Sequence, residues 1–174
     1  MKKLSFFSNV TASLSLISGS VWVGSYLVKI FITYQLFTPE DLALKTIFMG
    51  DNLNNMLSLL LPVFIIPFVT FNAVIIFMIL FLLSSRISLK QNGWLFISVM
   101  IVFITMPFEI YLMTTDYKII TLLMQESVNA ENVLILIRER ITSLSSFPVI
   151  EILGYIGISF LIIFRPLTLK NKIT

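Results

Sequence analysis

The sequence of 174 residues contains no cysteine and no histidine. Without cysteine there can be no disulfide, no thiolate nucleophile and no cysteine-ligated metal. Without histidine the chain lacks the commonest metal ligand, the usual axial ligand of haem and the commonest acid–base side chain. The sequence motifs typical of nucleotide-binding P-loops, serine hydrolases and zinc proteases are missing as well. We therefore predict no cofactor and favour a protein that is not an enzyme.

Charged residues are also scarce. They make up only 12% of the chain, whereas 57% of the residues are hydrophobic, and the mean hydropathy is +0.99. Soluble domains carry about 25% charged residues. One soluble core of this size cannot hide so much apolar surface, so we expect the chain to be dissolved in lipid. The length suits a single membrane domain over residues 1–174 with no separate soluble domain.

Four stretches of the sequence are long and apolar enough to cross a bilayer, which takes about 20 residues of α-helix. The predicted spans are residues 14–34, 59–83, 94–114 and 147–164. The first apolar stretch continues well past residues 18–20, Ser-Gly-Ser, and contains no convincing signal-peptidase site. We therefore interpret it as a retained span. The predicted fold class is all-α, an integral membrane protein with a four-transmembrane-helix antiparallel bundle.

Basic and acidic residues occupy different loops. The N-terminus, the second loop and the C-terminus hold seven basic residues and no acid: Lys2, Lys3, Arg86, Lys90, Arg165, Lys170 and Lys172. The first and third loops hold four basic and seven acidic residues: Glu40, Asp41, Lys45, Asp51, Asp116, Lys118, Glu126, Glu131, Arg138, Glu139 and Arg140. The positive-inside rule then places both termini in the cytoplasm. We predict a multi-pass protein of a bacterial cytoplasmic membrane that does not bind nucleic acid.

Short helices are predicted in both outer loops. Thr38 followed by Pro39 is typical of a helix start, Gly50 can end that helix, and Asp51 can cap the next one. In the third loop Asn129 can cap a helix. The apolar residues of this second helix recur at helical spacing: Val133, Leu134, Ile137, Ile141 and Leu144. We interpret it as an amphipathic helix lying on the membrane or capping the bundle, with a partner-binding surface as the alternative.

Three ionisable residues, Lys29, Glu109 and Glu151, lie within the predicted spans. A charge in hydrocarbon costs roughly 2.5–3.5 kcal/mol on insertion scales, so it seldom persists without a partner or a role. Counting from the predicted span ends places all three at a similar depth near the outer boundary. We therefore predict that the Lys29 amino group lies within about 4 Å of at least one of the two glutamates.

Each of these charges lies on a stripe of polar residues. Helical spacing adds three neighbours to the candidate site: Tyr26, Thr105 and Tyr155. One interpretation is a structural ion-pair network with a net charge of −1, which leaves a proton on one glutamate. A second is that Lys29 reaches the outer interface without a partner. The functional interpretation is a polar pocket, open to the outer side, that binds a head group or relays protons.

Two classes of function fit these features. The first is a non-enzymatic protein, either an accessory subunit with a membrane partner or second copy, or a binder of a small apolar or lipid-like molecule. The second is a proton- or ion-coupled carrier that uses Glu109 and Glu151.

The chain also resembles known small membrane proteins. Residues 21–25, Val-Trp-Val-Gly-Ser, resemble the W-x-G start of several bacterial four-helix families. Residues 107–109, Pro-Phe-Glu, resemble the Pro-x-Asn motif that ends span three of the anthrone-oxygenase-like family, with Glu in place of Asn. Residues 136–140, leading to Pro148 and Glu151, resemble that family's segment before span four, without its His and with Glu at an Arg position. The resemblance implies a four-helix antiparallel bundle with an outer capping segment, and allows a membrane enzyme as a third class.

Overall fold

The computed structural model describes residues 5–50, 52–125 and 128–168. Within these residues the chain is helical and forms no β-sheet. The α-helices are α1 (Phe6–Gln35), α2 (Leu53–Ser58), α3 (Leu61–Ser85), α4 (Gly93–Leu123), α5 (Ala130–Thr142) and α6 (Phe147–Phe164), and a short 3-10 helix covers Thr46–Phe48. This confirms the all-α prediction.

Among the described residues, four helical segments are long and apolar enough to cross a membrane. They are Phe6–Gln35, Leu53–Ser85, Gly93–Leu123 and Phe147–Phe164, and each contains one of the predicted spans. The first helix begins earlier than predicted because Ser5 caps it, with the Ser8 backbone N–H donating to Ser5 Oγ at 3.1 Å.

Helix α4, which contains the third predicted span, is also longer than predicted, and its extra length changes the composition of the site. The sequence prediction ended span three at Thr114 because charged residues follow. In the structure α4 continues to Leu123, since its next two turns keep an apolar face in which Ile119 and Leu123 are buried. That face packs into a core with the buried α5 residues Val133 and Ile137. The charged residue Asp116 is therefore on a buried helix face rather than in a loop.

The amphipathic helix predicted in the third loop is confirmed. The Asn132 backbone N–H donates to Asn129 Oδ1 at 3.1 Å, so Asn129 caps α5 as expected. Val133, Ile137 and Ile141 are buried. Because these residues belong to the same core as α4, the helix packs on the other helices instead of lying free on a membrane surface.

The helix start predicted at Thr38 is wrong. Residues 38–41 form a turn, in which the Ala43 backbone N–H donates to the Thr38 hydroxyl and the Thr38 backbone N–H donates to the Ala43 carbonyl, at 3.1 and 2.9 Å. The threonine thus closes a loop, because its oxygen is used by a residue five positions on and not by a first helical turn. Asp51, the predicted cap of the next helix, lies outside the described residues.

The helices pack around two apolar cores. One is formed by the end of α1, α2, the start of α3, the end of α4, and α5. The other surrounds Trp22 and Tyr26 of α1, Phe71 of α3, Val102 of α4 and Tyr155 of α6. Lys29 lies between these two cores along α1, and Asp116 does so along α4.

The opposite end of the molecule joins the short turn after α3 to the residues after α6. The Gly93 backbone N–H donates to the Leu167 carbonyl at 3.1 Å, and the Arg165 guanidinium lies 5.7 Å from the Trp94 ring. Ser8 Oγ donates to Ser84 Oγ at 3.1 Å, which brings the start of α1 to the end of α3.

Candidate functional site

Lys29 forms a buried ion pair with Asp116. Its Nζ lies 2.7 Å from Asp116 Oδ2, and the two side chains are only 4% and 2% exposed. Among the described residues Lys29 makes no ion pair of 4.0 Å or less with Glu109 or Glu151, so the predicted pairing is wrong. The reason is the extra length of α4, which carries Asp116 two turns beyond Glu109 on the same face. Because Lys29 is buried and paired, it does not reach the interface alone.

Arg140 enters the same cluster from α5. Its Nε donates to Asp116 Oδ1 at 3.2 Å, and its Nη2 donates to the Tyr26 hydroxyl at 3.1 Å. The Nη2 atom is also 3.7 Å from Glu109 Oε2. Burial by itself lowers the pKa of Arg140, but Asp116, Tyr26 and Glu109 outweigh it and raise that pKa. The guanidinium therefore remains charged although its side chain is only 8% exposed.

Tyr26 and Glu109 continue the chain of contacts. The Tyr26 hydroxyl, which accepts from Arg140, donates to Glu109 Oε2 at 3.2 Å. Both residues are fully or almost fully buried. The contacts thus run without a break from Lys29 through Asp116 and Arg140 to Tyr26 and Glu109, and they join α1, α4 and α5.

Glu151 of α6 is placed differently. It is completely buried and neighbours the Glu109 carboxyl, yet neither of its oxygens accepts a hydrogen bond from an N–H or O–H donor among the described residues. Trp22 Nε1 and the Tyr155 hydroxyl are also buried without a partner there. The rings of these two residues touch, with centroids 4.5 Å apart, and Tyr155 lies one helical turn after Glu151. Glu151 and Tyr155 therefore lie together beside the ion-paired network, and Trp22 packs on Tyr155.

The structure brings most of the predicted site residues together. Tyr26, Glu109 and Lys29 belong to the connected network, and Glu151 and Tyr155 lie beside it. Thr105 is buried one turn before Glu109, and its hydroxyl donates to the Val102 carbonyl of its own helix at 3.2 Å. Whether these residues bind a ligand stays a prediction.

Sequence reasoning missed two members of the cluster, Asp116 and Arg140, because both were assigned to the third loop. A signal existed for each. Asp116 follows Glu109 by seven residues, which keeps it on the same helical face if the helix continues. Arg140 follows Ile137 by three residues and precedes Ile141, so it lies within the apolar stripe of α5 and not on its polar face.

Two cavities open near the cluster. The smaller has a volume of about 30 Å³, and the residues that line it include Lys29, Thr33, Arg140 and Pro148. That volume is large enough for a water molecule, and it reaches both cations. The larger is an open groove of about 450 Å³, lined by residues of α4 and of the loop before α6: Pro107, Phe108, Tyr111, Ser143 and Leu144. Glu151 lines neither of these two cavities.

Within the part of the chain that the structure describes, no group of three or more acidic, histidine or cysteine side chains is arranged to hold a metal ion. The carboxylates of Glu109 and Asp116 instead face the charged side chains of Lys29 and Arg140. Comparisons with protein-family models, with curated proteins and with solved structures each find no match.

Proposed function

We propose that this chain is a multi-pass protein of a bacterial cytoplasmic membrane with both termini in the cytoplasm. Helix length and composition support insertion, and large apolar side chains such as Phe31, Phe103 and Phe160 are exposed on the outside of the helices. The basic turn with Lys90 and the segment with Arg165 meet at one end, and the positive-inside rule assigns that end to the cytoplasm. Four further basic residues that favour this orientation, Lys2, Lys3, Lys170 and Lys172, lie outside the described residues.

The orientation can be tested directly because the chain has no cysteine. Single variants Lys90→Cys and Glu40→Cys place one thiol at each end, both at exposed positions. A membrane-impermeant maleimide should label Glu40→Cys on intact cells and Lys90→Cys only after permeabilisation. The reverse pattern would show that the termini are outside.

We propose further that the protein is a small proton- or ion-coupled carrier whose working site is the buried cluster. The observation that carries this proposal is Glu151, a completely buried carboxyl that accepts no hydrogen bond from an N–H or O–H donor among the described residues. Ionisable residues within membrane segments are rare, and where they occur they commonly mark proton or ion pathways. A network with only a structural role gains nothing from a third carboxyl that pairs with no cation.

The cluster also offers a way for site occupancy to change the conformation. Glu109 neighbours Glu151 and lies 3.7 Å from Arg140, the one cluster residue contributed by α5. A change of charge at the two glutamates alters the attraction that holds Arg140. Occupancy therefore biases the docking of α5 through differential contacts, which is what coupling requires.

Proton flux into liposomes tests the carrier proposal. The purified protein is reconstituted with an internal pH-sensitive dye, and proton, sodium and potassium gradients are applied in turn. We expect flux from the wild type, loss of flux in Glu151→Gln, and unchanged flux in the control Glu40→Gln, whose side chain is exposed. A wild type that carries no flux under any of these gradients would refute the carrier.

A second candidate is a non-enzymatic accessory subunit or binder of a lipid-like molecule. The open groove of about 450 Å³ supports it, because Phe108 and Tyr111 give the groove an aromatic lining in the size range of ligand pockets. Native mass spectrometry in mild detergent tests it, and a stoichiometric lipid or partner chain is expected. The third candidate, a membrane enzyme, rests on the anthrone-oxygenase-like resemblance only.

A further inference from the structure

We infer that Glu151, beside Glu109 and Tyr155, forms a proton-binding site, and that at neutral pH the proton resides on Glu151 rather than on Glu109. This deepens the proposed function by naming the ligand and the residue that holds it. The residence of the proton does not require transport, so the two ideas can fail separately.

The first support is the balance of charge inside the cluster. Two basic side chains, Lys29 and Arg140, face the three carboxyl groups of Glu109, Asp116 and Glu151. With all five groups ionised, the buried cluster has a net charge of −1. An uncompensated charge taken out of water is strongly disfavoured, and the simplest compensation is one proton on one carboxyl.

The second support is the distribution of hydrogen bonds. Asp116 accepts from Lys29 at 2.7 Å and from Arg140 at 3.2 Å, which uses both of its oxygens. Glu109 accepts from the Tyr26 hydroxyl at 3.2 Å and lies close to Arg140. Glu151 has no donor among the described residues. Glu109 therefore has donors for a carboxylate that Glu151 lacks, so of these two neighbouring glutamates the proton belongs on Glu151.

The surroundings of Glu151 supply groups for both of its states. A protonated Glu151 can donate its hydrogen to the neighbouring Glu109 carboxylate. After the proton leaves, the Tyr155 hydroxyl, on the same face one helical turn after Glu151, is a donor near the new carboxylate. The ring contacts of Trp22 with Tyr26 and Tyr155, at centroid distances of 5.0 and 4.5 Å, pack this region tightly. A proton needs no additional space, in contrast to a metal ion or an organic cation.

The titratable groups that could compete with Glu151 for the proton come from three helices. From α1 come Lys29 and Tyr26, from α4 Glu109 and Asp116, and from α5 Arg140. The residues of α3 include no charged side chain. The crevice of about 30 Å³ that reaches Lys29 and Arg140 can admit a water molecule, which gives a proton a route to the cluster.

Infrared spectroscopy of the protein in bilayers measures the proton without a need for chemical access. A protonated carboxyl has a C=O stretching band that a carboxylate lacks, and solvent-exposed acids are ionised at pH 7. We expect this band in the wild type at pH 7 and expect it to disappear in Glu151→Gln. It should persist in the control Glu40→Gln.

A second variant tests the origin of the proton. Glu109→Gln leaves two cations and two carboxyls, so Glu151 should ionise and the band should disappear although Glu151 is present. Persistence of the band in that variant would overturn the charge-balance account. A band that survives in Glu151→Gln would place the proton elsewhere and overturn the assignment.

The inference stays testable if the variants do not fold. Wild-type protein carrying carboxyl-¹³C glutamate should show the band shifted, because the proton is on a glutamate and not on Asp116. A wild type without any protonated-carboxyl band at pH 7 overturns the inference. A clear band combined with the absence of liposome flux would support the proton site and refute only the carrier.

Discussion

Asp116 is predicted to be the most important carboxylate for the stability of the fold, although its position in the sequence is that of a loop residue. Its two oxygens accept from Lys29 at 2.7 Å and from Arg140 at 3.2 Å, and its side chain is 2% exposed. Asp116→Asn keeps the shape but removes the negative charge that both cations share. Breaking a buried ion pair costs about 3–5 kcal/mol, because the remaining charge is left without compensation. We expect the free energy of unfolding to fall by about that amount.

Glu151→Gln is expected to behave in the opposite way. It removes a carboxyl that accepts no hydrogen bond from the described residues, and it leaves two cations facing two carboxylates. The new amide can donate to Glu109 much as a protonated Glu151 does. Since one neutral hydrogen bond replaces another, the change in stability should be within about 1 kcal/mol.

Unfolding in mixed detergent micelles measures both variants. Far-ultraviolet circular dichroism reports helix. The fluorescence of the two tryptophans, of which Trp22 is fully buried beside the cluster, reports packing. Glu40→Gln serves as the control because surface substitutions change stability by only about 0.5 kcal/mol. If Asp116→Asn were as stable as this control, Asp116 would not be the carboxylate on which both cations depend. If Glu151→Gln lost as much stability as Asp116→Asn, Glu151 would not be a carboxyl that stands outside the ion pairs.

Three further predictions concern neighbouring features. Arg140→Lys should lower the free energy of unfolding by about 2 kcal/mol, measured in the same micelles, because one amino group cannot replace separate Nε and Nη2 contacts. Asn129→Ala should cost about 1 kcal/mol and speed amide hydrogen exchange in α5, because it removes the N-cap. Gly93→Ala should cost about 1–3 kcal/mol and expose the segment around Leu167 to proteolysis, because a Cβ at Gly93 would lie 2.7 Å from Leu167 Cβ. Unchanged exchange or proteolysis would contradict the last two.

Much of the helical structure could be predicted from the sequence, because the signals are local. Long apolar stretches identify the four long helices, and the cap at Asn129 with its apolar spacing identifies α5. The start predicted at Thr38 was wrong for a local reason too. A threonine oxygen can accept a hydrogen bond in a turn as well as at a helix N-cap. Here the donor is the Ala43 backbone N–H, and nothing in the sequence identifies that residue as the partner.

The sequence by itself determined that Lys29, Glu109 and Glu151 stand in apolar helices, and that such charges need compensation. Only the tertiary structure decided which groups compensate them. The Lys29 partner is 87 positions away in the chain, and the Arg140 partner Tyr26 is 114 away. These pairings depend on how far α4 continues and on which face α5 docks. Both are set by packing between distant segments, which also leaves Glu151 as the carboxyl without a partner among the described residues.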